Sequence, residues 1–227
     1  MKLRKNYDKY TNRMNKMDDP HVYNGSNVLI NTLNIKDYDQ LEFVEKEFST
    51  VRLKDIARGL LTEGLYDVQH FKQFHRYIFG DIYLWAGEFR KINIFKNETA
   101  LNGCPLKFMD YESINSHLTW IFSNMNKTEW SSLTVDEQTH HFSHFMSEIW
   151  RAHAFREGNT RTTITFLSEF AKSKGLNLQS SLFVNHATYM RKALIASVFE
   201  DEFLEKKRNY EYLEKIIKDA IIRGNNN

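Results

Sequence analysis

The sequence predicts a mainly helical domain carrying one short β-hairpin. Apolar residues recur at helical spacing along most of the 227 residues. Only two prolines, Pro20 and Pro105, and nine glycines interrupt the chain, which leaves room for long helices. One stretch, Phe89 to Pro105, departs from that rhythm. Its Phe89, Ile92 and Ile94, followed by the turn-rich Lys96-Asn97-Glu98, read as a hairpin.

The elements follow in order. Residues 1–20 are polar and charged and read as a flexible tail, with Pro20 marking the start of one domain over 21–227. Asn27 to Leu33 suggests a short helix, and Asn34 to Asp37 a break. Leu41, Val44, Phe48, Val51 and Ile56 then form the apolar stripe of a long helix ending near Gly59. A helix from Asp67 to Phe79 carries Phe71, Phe74, Tyr77 and Ile78, and Gly80 stops it. Beyond the hairpin, helices are expected over Leu106 to Asn124, Val135 to Ala152, Thr160 to Lys174 with Gly175 as the stop, His186 to Phe199, and Tyr210 to Ile222. The last of these places Leu213, Ile216, Ile217, Ala220 and Ile221 on one side. Trp120 and Trp130 read as packing residues. No internal repeat and no second domain is evident.

Composition narrows the function. Hydrophobic residues make up 41% of the chain, enough to build a core. A net charge of +2, with acidic and basic residues interspersed, argues against a nucleic-acid partner. The single cysteine, Cys104, rules out an intrachain disulfide and suits a reducing cytoplasm. No apolar run is long enough to span a bilayer, and Met1-Lys2-Leu3-Arg4-Lys5 is not followed by an apolar export segment. The expectation is therefore a cytoplasmic protein with no membrane partner.

The chemistry concentrates in nine residues, His153-Ala154-Phe155-Arg156-Glu157-Gly158-Asn159-Thr160-Arg161, lying between two expected helices. A helix N-terminus presents unpaired N–H groups and a partial positive charge. Gly158 lets the backbone approach a ligand or take positive φ. Asn159 suits an N-cap, or offers its amide to an anion. Arg161 adds a planar donor fork. Together these make an anion cradle. Glu157 would repel a phosphate directly but suits a divalent cation bridging it to phosphates, as Mg²⁺ does. His153, with a near-neutral pKa, suits deprotonation of an attacking hydroxyl. Phe155 reads as a wedge beneath the loop. A separate triad, His140, His144 and Glu148, lies on one helix face at zinc-like spacing, but no fourth ligand is evident and solvated histidines are expected.

The nine-residue loop resembles the signature of Fic-domain proteins: His, any residue, Phe, any residue, Asp or Glu, Gly, Asn, Gly or Lys, Arg, two residues, Arg. The match falls on His153, Phe155, Glu157, Gly158, Asn159 and Arg161. Val22 to Leu29 and Phe71 to Arg90 also resemble Fic segments, so the resemblance runs from about His21 to the C-terminus. It implies an all-α, Fic-type helical bundle with one short β-hairpin flap. The implied activity is transfer of AMP from ATP to a Tyr, Thr or Ser hydroxyl of a target protein. His153 would be the general base and Glu157 the Mg²⁺ ligand. Gly158, Asn159, Thr160 and Arg161 would hold phosphates, with Lys96 and Asn97 of the flap beside the nucleotide. The target segment would lie along the flap edge. Two positions depart from the signature: Thr160 replaces Gly or Lys, and Ile164 replaces the second Arg.

In Fic proteins an inhibitory motif reads Ser or Thr, three residues, Glu, then Gly or Asn. No convincing copy occurs here, so the chain is expected either to be unrestrained or to be held, toxin-like, by a small inhibitory antitoxin-like protein. Two other readings stay open. One is a Fic-fold phosphotransferase, or another nucleotidyltransferase, that uses a different nucleotide or orientation. The other is a catalytically silent helical module that grips a peptide.

Overall fold

The computed structural model describes residues 19–61, 63–102, 104–201 and 205–226, so most of the expected tail lies outside the described residues. The helices are α1 (Tyr38–Ala57), α2 (Val68–Phe79), α3 (Ile114–Lys127), α4 (Val135–Ala152), α5 (Asn159–Ser173), α6 (Ser181–Asn185), α7 (Ala187–Val198) and α8 (Glu211–Asn225). Between α2 and α3, strands β1 (Phe95–Asn97) and β2 (Pro105–Lys107) form an antiparallel pair, with Phe95 opposite Lys107, Lys96 opposite Leu106 and Asn97 opposite Pro105. The predicted helical bundle with one hairpin is therefore the fold observed.

Local chemistry sets the helix starts. Asp37 caps α1 by accepting from Gln40 N–H at 2.8 Å, and Asp67 caps α2 through His70 N–H at 2.9 Å. Thr134 and Glu137 form a reciprocal capping box at the head of α4. Helix α4 is the centre of the bundle, packing against α3, α5, α7 and α8. One face of it is almost wholly apolar: Phe142, Met146, Ile149 and Trp150 are buried. Helix α2 meets α5 through an aromatic cluster in which Phe166 contacts Phe71, Phe74 and Phe122, each edge-on or tilted with centroids 5.1–5.3 Å apart. Helix α8 buries Leu213, Ile216, Ile217, Ala220 and Ile221 as expected.

Three expectations need correction. Asn27 to Leu33 is not helical; Val22 and Leu29 form an isolated bridge there. Side chains compete for the backbone in this segment: Ser26 Oγ takes Val28 N–H, and the Asn31 amide spans Leu29, Ile35 O and Ile35 N. The hairpin lies further on than expected, because β2 uses Leu106 and Lys107, and the following helix begins only at Ile114. The helix expected over His186 to Phe199 is observed as α7, and the short helix α6 precedes it. On α1 the stripe is misaligned: Phe48 and Val51 are 41% and 57% exposed, while Glu45 and Ser49 face inward with Leu41 and Ile56.

Candidate functional site

Helix α4 ends at His153, which takes a left-handed conformation (φ 42°, ψ 55°) and turns the chain sharply toward α5. The turn is held by Arg90, a buried guanidinium donating to the carbonyls of His153 (2.8 Å), Ala152 (3.2 Å), Ile92 (2.6 Å) and Met109. A cation at a helix C-terminus is well placed against the unpaired carbonyls. Burial pulls its pKa down to about 10, so it stays charged at neutral pH.

The His153 ring is buried and stacks on Phe108 with centroids 3.6 Å apart. Its Nδ1 lies 3.4 Å from Trp150 O. A carbonyl only accepts, so Nδ1 carries the hydrogen and Nε2 the lone pair. Nε2 is buried with no hydrogen-bond partner. Burial, then the charges of Lys96 and Arg191, push the imidazole pKa well below its usual value, against the smaller effect of the Trp150 carbonyl.

Gly158 has φ 77° and is the N-cap of α5. A Cβ there would lie 2.3 Å from the Phe79 ring, so only glycine fits. With no side chain to cap the first turn of α5, its N–H groups are available to an anion. Asn159 does not act as foreseen. It is the first helical residue, and its amide is consumed inside the loop, accepting from Phe155 N–H at 2.8 Å and donating to Phe155 O at 2.7 Å. Its side chain therefore shapes the loop from within. Phe155 is the expected wedge, fully buried and stacked on His75 at 3.8 Å.

Glu157 keeps 32% of its side chain exposed. Its Oε1 accepts from Gly158 N–H at 2.9 Å, and its Oε2 lies 3.3 Å from Lys96 Nζ of β1. Burial raises its pKa, but Lys96, the Gly158 N–H and Arg161 outweigh burial and hold it at about 2. The flap residue Lys96 thus reaches the loop, and Asn97, one residue on, is exposed at the end of the strand. Among the described residues no three His, Cys, Asp or Glu side chains cluster as a metal site. The zinc-like triad is not one: His140 is exposed and pairs with Glu214, and Glu148 is saturated by Arg151, Arg208 and His117. A single carboxylate is the donor set that Mg²⁺ uses when phosphate oxygens and water complete its shell.

Arg161 is engaged by α1. Its guanidinium donates to Ser49 Oγ at 2.9 Å and to Glu45, and lies over the Phe79 ring at 4.7 Å. Glu45 also accepts from the Tyr83 hydroxyl. Thr160 Oγ1 accepts from Trp150 Nε1 at 2.9 Å and from Arg191 at 3.3 Å. Ile164 is partly buried against the core.

Sequence reasoning missed four residues here: His75, Arg90, Glu45 and Arg191. His75 and Arg90 lie in the Phe71 to Arg90 segment already singled out, but nothing local marks a buried His or Arg as a strut. Glu45 was hidden by the apolar stripe assigned to the other face of α1.

Residues 65–171 match the Fic/DOC family. Over 171 residues the chain is 32% identical to the "Probable protein adenylyltransferase y4lH" of Sinorhizobium fredii, covering 74% of this chain and 83% of that one. The chain belongs to the Fic/DOC family. Over 162 residues it is also 32% identical to the protein adenylyltransferase VbhT of Bartonella schoenbuchensis; that match covers 71% of this chain but 32% of VbhT's length. These Fic/DOC relatives carry the name of a nucleotidyltransferase. The fold is shared with solved Fic structures at 18% identity. The BepC protein of Bartonella tribocorum with bound AMPPNP gives a TM-score of 0.73, covering 90% of this chain and 97% of that one. An N-terminal Fic domain from Bartonella quintana with bound ADP gives 0.74, covering 90% and 95%.

Proposed function

We propose that this Fic/DOC chain transfers AMP from ATP to a hydroxyl side chain of a target protein. The reading rests above all on His153 Nε2, a buried nitrogen carrying a free lone pair, in the same loop as Glu157 and the uncapped N-terminus of α5. The target oxygen attacks the α-phosphorus, the bond to the β-phosphate oxygen breaks, and pyrophosphate leaves. His153 Nε2 takes the hydroxyl proton. The N–H groups of Asn159 to Arg161, in the first turn of α5, hold phosphate oxygens, so the chain supplies positioning and electrostatics more than covalent chemistry. Glu157 would hold Mg²⁺ jointly with the phosphates. Bound there, Mg²⁺ would neutralise phosphate charge. Among the described residues β1 pairs only with β2, and an extended target segment docking along the hairpin edge would bring its hydroxyl to the loop.

In this proposal the chain is either unrestrained or held by a small separate protein, since the sequence shows no convincing inhibitory motif. A cytoplasmic site of action is likewise proposed. Among the described residues no helix is long and apolar enough to cross a membrane. The apolar Ile164 favours one second reading, transfer of the terminal phosphate, because α5 lacks a cation at that turn to fix the nucleotide's orientation.

The test is incubation of the protein with lysate, Mg²⁺ and ATP labelled at the α- or the γ-phosphate, beside His153→Ala. Protein label from the α position alone, lost in His153→Ala, is the expected result. Label from γ alone would establish the second reading, and label that persists in His153→Ala would remove His153 from the chemistry.

A further inference from the structure

The loop's predicted cations are already committed. Arg161 has both terminal nitrogens engaged by Ser49 and Glu45 of α1, and Lys96 faces Glu157. One turn beyond Thr160, the same helix offers only Ile164. Among the described residues a further cation reaches the head of α5 from another element. Arg191 of α7 places NH1 3.3 Å from Thr160 Oγ1, and its guanidinium lies over the Trp150 ring at 5.4 Å. Its charge reaches His153, where it is among the groups that disfavour the protonated ring. It also keeps 34% of its side chain exposed, within reach of a ligand.

The partner of Arg191 is informative. Its NH2 donates to Glu98, a largely buried carboxylate at the turn of the flap. A cavity of about 340 Å³, lined in part by Glu98, Thr99, Thr188, Arg191 and Ile195, opens beside the pair. Carboxylate and phosphate oxygens both accept charge-assisted hydrogen bonds from a guanidinium. The cavity gives the displaced group somewhere to go.

We infer that Arg191 is a polyphosphate-binding residue of this site, supplied by α7, and that Glu98 occupies it in competition with the ligand. The inference rests on reading the loop as a nucleotide site. Glu98 screens the guanidinium and fastens the flap turn to α7. A polyphosphate takes over the guanidinium and releases that fastening, which links nucleotide binding to the position of the flap.

The experiment measures Mg²⁺-ATP, adenosine and inorganic tripolyphosphate binding by calorimetry, without target protein, for the intact chain and four variants of confirmed fold. Arg191→Ala should weaken ATP and tripolyphosphate at least tenfold and leave adenosine unchanged. Arg191→Lys, which keeps the charge and loses the fork, should fall between. Glu98→Gln should tighten both phosphates several-fold, and that gain should vanish in the double variant Arg191→Ala/Glu98→Gln. Unaltered ATP affinity in Arg191→Ala and Glu98→Gln would overturn the inference while leaving the nucleotide reading intact, the pair then being only a structural latch. Arg191-dependent binding of tripolyphosphate without ATP binding would support the inference and remove the nucleotide reading. Absence of all binding would overturn both.

Discussion

His75 ties the candidate loop to the segment that leads into the flap: its Nε2 donates to Glu157 O at 2.9 Å, and its Nδ1 accepts from Gly87 N–H at 2.9 Å. The two partners fix one neutral tautomer. Burial, the dominant effect, lowers its pKa to about 3 although the Glu157 carbonyl opposes this. Between that value and an unfolded pKa near 6.5 the unfolded chain binds the extra proton, so stability falls as pH falls. The slope is up to about 1.4 kcal/mol per pH unit for each such His, and His153 adds in the same direction. Below about pH 4.5 the carboxyls of Glu148 and Glu157, both held at about 2, continue the loss. His75→Leu strands Gly87 N–H and Glu157 O, and should cost roughly 2–4 kcal/mol at pH 7. It should also flatten the loss between pH 6.5 and 5. Urea unfolding at both pH values is the check, and a variant with the intact protein's slope would refute the role.

Gly158→Ala concentrates its damage at the loop. The left-handed backbone costs a Cβ about 1–2 kcal/mol, and the Phe79 ring it would strike is fully buried and cannot retreat cheaply. Overpacking adds a comparable amount. A loss of roughly 2–4 kcal/mol, with ATP binding weakened at least tenfold, is expected from thermal melts and titration. Near-normal stability would mean that the loop relaxes more freely than its packing suggests.

Glu45 holds Arg161 and Tyr83 together beneath the loop. The Tyr83 phenol is pushed up by burial and then by that carboxylate, so it remains a donor at all ordinary pH. Glu45→Gln keeps an acceptor for Tyr83 and removes the negative charge that competes with phosphate for Arg161. ATP should bind several-fold tighter, measured without turnover. Unchanged or weaker binding would show that Arg161 serves to pin α1 and not to meet phosphate.

Helices α2, α4 and α5 were legible because their buried faces are apolar and their ends carry Asp, Thr or Gly signals, and α8 was legible from its apolar face alone. The loop was legible because its residue types sit at a tight spacing. Helix α1 was half-read: its inward face includes Glu45 and Ser49, which a hydrophobic stripe cannot reveal because they face Arg161 instead of the core. His75, Arg90 and Arg191 act across sequence separations of 82, 63 and 31 residues, so no local pattern could assign them. The hairpin was placed too early because the Phe89 to Ile94 segment is apolar for another reason. It packs beside the loop, while Arg90 N–H bonds to Ala154 O at 2.9 Å and the Arg90 side chain closes the end of α4.

The protonation state of His153 gives the sharpest kinetic expectation. Its Nε2 is deprotonated well below pH 6.5 because burial, Lys96 and Arg191 all oppose the imidazolium. The acid limb of kcat/KM reports the base in the free enzyme, so it should lie below pH 6.5 and leave activity flat down through neutrality. Lys96→Met removes one opposing charge. The imidazole pKa then rises and the limb moves toward the ordinary value, even if the maximum rate falls because Glu157 loses its neighbour. A limb at or above pH 6.5 in the intact protein, or one that Lys96→Met does not move upward, would show that the titrating base is a group other than His153.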